Sequence, residues 1–275
     1  MLALVTGASS GLGLETARTL VDRRWDVVAA VRAASAAPDG CEVLELDLAD
    51  LASVRRAAEE FGGRHDRLDV LVNNAGVMFT PFSRTADGFE LQFGTNHLGH
   101  FLLTRLLTPL LVRSAPARVV TLSSAGHVMS DIHWDDPNYE RRPYDKFEAY
   151  GQSKTANILF TVELERRLGP RGVHAYAVHP GMVATNLARH MSRDDLKEFL
   201  ARRRPAGSEE GALPPLLEPE EGAVTTLWAA TSPELAGRGG VYLADCAVAE
   251  PAPYARDPDA ARRLWELSER LVGPP

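Results

Sequence analysis

Short apolar runs alternate along the chain with longer segments in which apolar residues recur every three or four positions. The short runs are typical of buried parallel strands, and the longer periodic segments are typical of helices. Strands are predicted at Leu2–Thr6, Asp26–Val31, Glu42–Leu46, Asp69–Val72, Arg118–Leu122, Val173–Val178 and Val241–Ala244. The clearest predicted helices run from Leu14 to Val21, from Leu98 to Val112, from Tyr150 to Leu168 and from Asp259 to Leu271.

The alternation of the two patterns predicts the class of fold. Strands that alternate with helices favour an α/β domain in which a doubly wound, parallel sheet of about seven strands is flanked by helices. No internal repeat, low-complexity tract or linker interrupts the pattern, so residues 1–275 are predicted to form one domain.

Composition and charge exclude several classes of protein. The 275 residues are 45% hydrophobic and 24% charged, which is ordinary for a globular chain and enough to bury about three quarters of its unfolded surface. The net charge is −7 and no long basic block occurs, so a nucleic-acid partner is not expected. No apolar run approaches the roughly 18 residues that cross a bilayer, and no signal peptide is expected before the first strand. Two cysteines give no disulfide framework, and a cytoplasmic location is the expectation.

A glycine-rich loop follows the first predicted strand and precedes a helix. Its spacing is Gly7-x-x-x-Gly11-x-Gly13, which differs from the Gly-x-Gly-x-x-Gly of the standard dinucleotide fingerprint. Glycines let the backbone approach a pyrophosphate, and the helix N-terminus offers free N–H groups. The loop therefore predicts dinucleotide binding, with a simple turn between strand and helix as the alternative.

The end of the second predicted strand indicates which dinucleotide is bound. An acid there would hold a ribose 2′-hydroxyl, whereas an arginine accommodates a 2′-phosphate. Val31 and Arg32 stand there, with no carboxylate nearby. We therefore expect NADP(H) rather than NAD(H), although Arg32 could also be a solvated strand end.

Polar residues follow several other predicted strands, where the ligand crevice of a parallel sheet lies. Asn73-Asn74-Ala75-Gly76 and Ser123-Ser124 are of this kind, although each could be turn chemistry alone. Asp50 or Ser53 is expected to cap the helix after the third strand. Asn96 could cap the predicted helix from Leu98 to Val112.

Tyr150 and Lys154 are four residues apart on a predicted helix and therefore lie on the same face. A cation beside a tyrosine lowers its pKa from about 10 and makes it a better acid or base near neutrality. Such a pair is also common on solvated helices. The histidines show no spacing that would bring three or four metal ligands together, so no metal is expected. His179 is predicted to be structural.

Six motifs together resemble the short-chain dehydrogenase/reductase family over nearly the whole chain. They are Thr6-Gly7-x-x-x-Gly11-x-Gly13, Asn73-Asn74-Ala75-Gly76, Asn96, Ser124, Tyr150-x-x-x-Lys154 and Pro180-Gly181. The stretch from Leu168 to Gly181 and the wide gap between Ser124 and Tyr150 are similar to the retinol-dehydrogenase-like branch. The resemblance implies a Rossmann-type fold and hydride transfer between a nicotinamide and a carbonyl or alcohol.

The resemblance also implies roles for individual residues. Tyr150 would be the proton donor, Lys154 would lower its pKa, Ser124 would position the substrate oxygen and Asn96 would hold a water in a proton relay. Contacts with the cofactor are implied for Gly7, Ser9, Ser10, Gly11, Leu12, Gly13, Arg32, Asp47, Leu48, Asn74, Ala75, Gly76, Tyr150, Lys154, Pro180, Gly181, Val183 and Thr185.

Two alternatives to an NADP(H)-dependent enzyme stay open. One is a dinucleotide-binding sensor without turnover, against which the complete set of four catalytic residues argues. The other is an isomerase or lyase that uses the cofactor transiently. Consumption of NADPH with a panel of aldehydes and ketones would separate the three.

The segment 185–220 resembles the variable substrate lid of the family. Ser192-x-x-Asp195 predicts a helix start, after which Leu196, Phe199 and Leu200 share one face, with an ordinary surface helix as the alternative. A hinge is predicted at Pro205, Gly207, Gly211, Pro214 and Pro215, and further pocket residues at Val77, Met78, Phe79, Ile132, Trp134 and Met182. These apolar residues favour a bulky apolar substrate.

Assembly is predicted from the same resemblance. Many family members pair through the helix that carries the catalytic tyrosine, and the extra residues between Ser124 and Tyr150 would alter that surface. A monomer or homodimer is therefore expected rather than a tetramer.

Overall fold

One sheet of eight strands forms the centre of the computed structural model, which describes residues 1–185, 187, 191–202 and 216–274. The strands lie in the order β3-β2-β1-β4-β5-β6-β7-β8, and all but the last run parallel. They are β1 Leu2–Thr6, β2 Asp26–Val31, β3 Glu42–Glu45, β4 Val70–Asn73, β5 Ala117–Leu122, β6 Val173–His179, β7 Val241–Ala244 and β8 Ala247–Ala249. The predicted doubly wound sheet is thus confirmed, with the bounds of several strands shifted by one or two residues.

Helices cover both faces of this sheet. They are α1 Gly11–Asp22, α2 Leu51–Arg64, α3 Leu91–Phe93, α4 Gly99–Arg113, α5 Lys146–Leu168, α6 Arg193–Arg202, α7 Pro219–Thr231 and α8 Pro258–Val272. Short 3₁₀ turns occur at Ala34–Ala36, Ala125–Met129, Gly169–Arg171, Pro233–Leu235 and Pro253–Arg256. Helices α2, α4, α5 and α8 share one hydrophobic core with the sheet, and α1 and α7 share the other. Because both faces are covered, β1 is buried along its whole length and is apolar up to its last residue, Thr6.

The eighth strand was missing from the sequence prediction. It pairs antiparallel with β7 through a two-residue turn in which Asp245 and Cys246 have φ values of 50° and 54°. A tight hairpin needs such left-handed residues, and Asn-Gly is the usual signal for one. Asp-Cys carries no such signal, and the three-residue β8 is too short for a periodic pattern.

The helical segment around Asn96 begins earlier than predicted. Glu90 caps α3 by accepting hydrogen bonds from the amides of Gln92 at 2.9 Å and Phe93 at 2.7 Å. A π-helical turn, Gly94–Leu98, then joins α3 to α4. Asn96 therefore lies inside a continuous helical segment and is not a helix cap. The cap predicted for α2 is confirmed at Asp50, which accepts from the amide of Ala52 at 2.8 Å.

Helix α6 begins as predicted. The Ser192 amide donates to the Asp195 carboxylate at 2.9 Å, and the Asp195 amide donates to the Ser192 hydroxyl at 3.1 Å. The predicted hinge residues Pro205, Gly207, Gly211, Pro214 and Pro215 lie outside the described residues. Within the part of the chain that the structure describes, no helix is long and apolar enough to cross a membrane.

Candidate active site

The predicted site residues meet at the carboxyl edge of the sheet. The strand order reverses at β1, which pairs with β2 on one side and with β4 on the other. This is the position where ligands of doubly wound sheets bind. The loops that follow β1, β4, β5 and β6 carry Gly7, Asn74, Ser124 and Pro180 to this edge.

The glycine-rich loop after β1 has the backbone geometry that the dinucleotide prediction requires. Gly7 and Gly11 have φ values of +68° and +54°, which side chains other than hydrogen disfavour. A Cβ atom on Gly7 would lie 2.9 Å from Ala75 Cα, and one on Gly13 would lie 2.4 Å from the Gly7 carbonyl oxygen. The loop thus packs tightly on the Asn74-Ala75 turn and leaves the N-terminus of α1 open, which fits a bound pyrophosphate.

A cavity of about 290 Å³ lies beside this loop. It is lined by Thr6, Gly7, Ser9, Ser10, Ala30, Val31, Arg32, Leu46, Asp47, Leu48, Ala49, Ala75, Gly76, Val77, Thr80, Leu91 and Thr95. The hydroxyls of Thr80 and Thr95 are buried and have no hydrogen-bond partner within the described residues. The position of the cavity, beside the glycine-rich loop at the carboxyl edge of the sheet, fits the adenosine end of a dinucleotide. Neither threonine was predicted as a site residue, since the only signal in the sequence is the position of Thr95 next to Asn96.

Other residues predicted to contact the cofactor lie around the same crevice. Asp47 accepts from the Ala49 amide at 2.9 Å and so shapes the turn that places Leu48 in the cavity wall. A Cβ atom on Gly11 would lie 3.0 Å from the Thr185 methyl group, so Thr185 sits against the glycine-rich loop.

Two predicted cofactor residues point their side chains away from the cavity. Leu12 and Val183 both pack against Gly222 of α7, where a Cβ atom would lie 2.8 Å from Leu12 Cδ2 and 2.5 Å from Val183 Cγ2. Gly181, just after β6, has a φ of +86°, which keeps the chain in a tight bend there. The side chains of Leu12 and Val183 thus pack against α7 and do not line the cavity.

Tyr150 and Lys154 lie one turn apart on α5, with 2% and 4% of their surfaces exposed. The Lys154 Nζ donates to the Leu122 carbonyl oxygen at 3.0 Å and lies 5.6 Å from the centroid of the Tyr150 ring. Burial lowers the pKa of the Lys154 ammonium to about 8. The site therefore contains a buried tyrosine beside a lysine that titrates close to neutrality.

Ser124 begins a short 3₁₀ turn that packs against Tyr150. The Ser124 hydroxyl caps that turn by accepting from the Gly126 amide at 3.0 Å. A Cβ atom on Gly126 would lie 2.9 Å from Tyr150 Cε1, so the turn packs flat against the tyrosine ring. Ser123 instead donates to the Lys154 carbonyl oxygen at 2.9 Å, and His179 Nδ1 accepts from the Ala125 amide at 3.3 Å.

Asn96 completes the cluster. Its side chain accepts from the Val77 amide at 2.8 Å and donates to the Val77 carbonyl and the Ser153 hydroxyl, both at 2.9 Å. A Cβ atom on Gly76 would lie 3.1 Å from Asn96 Oδ1 and 3.9 Å from Lys154 Nζ. The loop after β4, the π-helical turn and α5 thus converge on one point.

An apolar cluster covers Tyr150 on its outer side. Phe79 makes an edge contact with the Tyr150 ring at 5.2 Å, and it also packs on Phe147 at 4.6 Å and on Phe199 of α6 at 5.4 Å. The partly buried neighbours of this cluster are Met78, Met129, Met191 and Leu200. Phe147, Met129 and Met191 were not predicted as pocket residues.

Two of the predicted pocket residues are placed elsewhere. Ile132 belongs to the main core beneath the sheet, and Trp134 packs against that core under the guanidinium of Arg263, which lies 4.3 Å from its ring. They are therefore wrong as pocket residues. Val77 lines the cofactor cavity, and the Met182 carbonyl accepts from the Leu217 amide at 2.7 Å. Throughout the described residues, no group of three or more His, Cys, Asp or Glu side chains is arranged to hold a metal ion.

Comparison with known proteins identifies the family. The model of the short chain dehydrogenase family matches residues 1–196. Human retinol dehydrogenase 14 is 42% identical over 295 residues, which cover 98% of this chain and 85% of that protein. This chain therefore belongs to the short-chain dehydrogenase family and is an oxidoreductase that resembles the retinol dehydrogenases.

Solved structures agree with this assignment. A crystal structure of an uncharacterised protein from Mycobacterium paratuberculosis is 39% identical, with a TM-score of 0.78 over 98% of this chain and 92% of that one. An NADP complex of RhlG from Pseudomonas aeruginosa is 28% identical, with a TM-score of 0.66 over 88% of this chain and 93% of that one.

Proposed function

We propose that the protein is an NADP(H)-dependent enzyme that interconverts a bulky apolar carbonyl compound and the corresponding alcohol. The observation that carries this proposal is the convergence of Tyr150, Lys154, Ser124 and Asn96 beside a glycine-lined cavity. A protein that only sensed the cofactor would have no need for all four residues.

The chemistry of the four residues follows from where they lie. When bound, the nicotinamide supplies or accepts the hydride. Tyr150 holds the proton that the substrate oxygen gains or loses, and the neighbouring Lys154 cation favours the phenolate form. Ser124 orients the substrate oxygen by a hydrogen bond, and Asn96 holds the water through which protons reach Lys154. Positioning and fixed dipoles of this kind supply much of a rate enhancement.

The preference for NADP(H) rests on charge. Arg32 lines the cavity just after β2, where a 2′-phosphate would lie. The residue before it is Val31, not an aspartate or glutamate that would bind a ribose 2′-hydroxyl. RhlG, a relative with the same fold, binds NADP.

The preference for a bulky apolar substrate rests on the aromatic cluster. Phe79, Phe147 and Phe199, with the methionines around them, form an apolar cluster on the outer side of the Tyr150 ring, and such a surface suits an apolar substrate better than a phosphate or a carboxylate. Retinol dehydrogenase 14 takes its name from an alcohol of this kind.

The reaction is tested by NADPH oxidation, followed by absorbance, with a panel of aldehydes and ketones. We expect Tyr150→Phe to abolish turnover and to leave NADPH binding almost unchanged, because the phenol lies away from the glycine-rich loop. Tyr176→Phe is the matched control, since it removes a buried hydroxyl that bonds the Leu235 carbonyl outside the site. A Tyr150→Phe variant that kept more than about a tenth of the turnover, a loss of about 1.4 kcal/mol, would not have lost its main proton donor.

The same assay separates the alternatives. A sensor would bind NADPH but would not oxidise it with any compound of the panel. An isomerase or lyase would convert its substrate without net consumption of NADPH. Either result would overturn the proposed function.

A further inference from the structure

His100 is a buried histidine of α4 that the proposed chemistry does not use. Its Nδ1 lies 3.1 Å from the main-chain carbonyl oxygen of Asn96, and its Nε2 lies 2.9 Å from the hydroxyl oxygen of Thr6. A carbonyl oxygen can only accept, so Nδ1 carries the proton. In the neutral ring Nε2 is then an acceptor, and Thr6 donates to it.

Thr6 is the other end of this connection. Its hydroxyl accepts from the amides of Asn74 at 2.9 Å and Ala75 at 3.0 Å, which fix the cofactor-binding loop after β4. The single hydroxyl hydrogen has two acceptors within reach, His100 Nε2 at 2.9 Å and the Val72 carbonyl at 3.3 Å. The shorter contact is to His100, and a proton on Nε2 would remove it.

The surroundings of His100 keep its ring neutral. The pKa of His100 is lowered to about 4, mainly by burial; the bond to the Asn96 carbonyl opposes this shift, and the nearby Lys154 cation adds to it. The carbonyl that His100 holds belongs to the π-helical turn, an irregularity often found at functional sites. One imidazole therefore touches both halves of the site, the cofactor loop and the relay.

We propose that His100 is a positioning residue that fixes the Asn96 carbonyl through Nδ1 and the loop 74–76 through Nε2 and Thr6. This inference rests on the proposed function, since it assigns His100 to the relay and the cofactor loop of the same site. The two arms have separate consequences. Loss of the Nδ1 contact affects turnover, and loss of the Nε2 contact affects cofactor binding.

Two variants separate the arms. In His100→Asn the side-chain amide stands near the position of Nδ1 and can still donate to the Asn96 carbonyl, but it does not reach Thr6. In His100→Leu both contacts are lost. His97→Leu is the matched control, because His97 is buried on the same segment but bonds Ser268 of α8. The readouts are the dissociation constant for NADPH, by fluorescence titration, the kcat, and the thermal unfolding midpoint.

We expect His100→Leu to weaken NADPH binding about tenfold and to lower kcat about tenfold, since each arm loses a hydrogen bond. His100→Asn should weaken binding to a similar extent while kcat stays within about twofold of wild type. His97→Leu should lower the unfolding midpoint and leave the dissociation constant for NADPH and the kcat unchanged.

Several results would overturn the inference. One is a loss of kcat in His100→Asn equal to that in His100→Leu. Another is a His97→Leu variant that loses as much NADPH affinity and kcat as His100→Leu. If His100→Leu does not fold, wild type and His100→Asn decide alone, and unchanged NADPH binding in His100→Asn refutes the Thr6 arm. If the wild type oxidises no substrate, the proposed function fails, whereas NADPH binding by the variants still tests His100.

Discussion

At the scale of single residues, Lys154, which we propose to be catalytic, lies in an environment that disfavours its charge. Its pKa is about 8 in the folded protein, below the ordinary 10.5, because burial penalises the charged ammonium. The unfolded chain therefore binds more protons than the folded one between these values. The resulting destabilisation is complete below about pH 8 and disappears as pH rises towards 10.5.

This predicts that Lys154→Met stabilises the protein at pH 7 while abolishing turnover. The Leu122 carbonyl that Lys154 bonds also accepts from Asn157 Nδ2 at 2.9 Å, so the substitution leaves it satisfied. Denaturant unfolding from pH 7 to pH 10 should show the difference between variant and wild type shrinking above pH 8. Lys197→Met, which alters an exposed lysine of α6, serves as the control. A difference that stayed constant with pH would contradict the burial argument.

Arg32 is the residue on which we propose that the choice of cofactor depends. Its side chain is exposed at the rim of the cavity, where it is free to meet a 2′-phosphate. We expect Arg32→Ala to raise the dissociation constant for NADPH about tenfold, the loss of one charge-assisted hydrogen bond, and barely to change that for NADH. Titrations with both cofactors test this, with Arg56→Ala on α2 as the control. Equal losses for the two cofactors would exclude a 2′-phosphate contact.

At the scale of elements, α6 is held against the N-terminal end of α5. Lys146 pairs with Asp195 at 2.6 Å, and Arg202 pairs with Asp145, the N-cap of α5, at 2.8 Å. Phe199, between these two ion pairs, is buried on Phe79. Helix α6 thereby places an aromatic ring next to the cluster that covers Tyr150.

We expect Phe199→Ala to raise KM for large apolar substrates several-fold and to leave KM for small ones unchanged. The reason is that the lost ring contributes apolar contact area that only a large substrate reaches. Steady-state kinetics across a series of aldehydes of increasing chain length measure the effect. Phe82→Ala, at a phenylalanine that is 45% exposed, is the control. An effect independent of substrate size, or rates that peak on sugar phosphates, would be inconsistent with an apolar pocket.

At the scale of the whole molecule, α8 packs on α4 and on α5, the helix that carries Tyr150. Trp265 stacks on Phe160 of α5 at 5.9 Å and makes an edge contact with Phe101 of α4 at 4.9 Å. Ser268 of α8 bonds His97, and Arg55 of α2 donates to the Val272 carbonyl at 2.9 Å. Helix α8 thus buries apolar surface of α4 and α5 within one chain, where it is not available to a second copy.

We therefore expect a monomer or dimer in light scattering, and a stable tetramer would contradict this. Trp265→Ala should lower the free energy of unfolding by about 3–5 kcal/mol, because it leaves a large cavity under α8. Chemical denaturation measures the loss. Trp228→Ala, at a partly exposed tryptophan of α7, should cost clearly less.

Much of the fold could be read from the sequence because it depends on local patterns. Apolar runs such as Leu2–Thr6 need no partner to be recognised, since a strand buried on both faces is apolar throughout. The Gly7–Gly13 loop and the spacing of Tyr150 and Lys154 are local in the same sense: backbone sterics fix the first and helical periodicity the second.

Only the tertiary structure decided which distant groups meet. Phe79 and Ile132 are equally apolar, yet one contacts Tyr150 and the other lies in the main core. His100 and Thr6 are 94 residues apart, and nothing in either local pattern predicts their hydrogen bond. Such contacts depend on how the strands order themselves and how helices pack on them. Strand order and helix packing are set by the burial of apolar surface summed over the whole chain. This sum cannot be read from any short stretch of sequence.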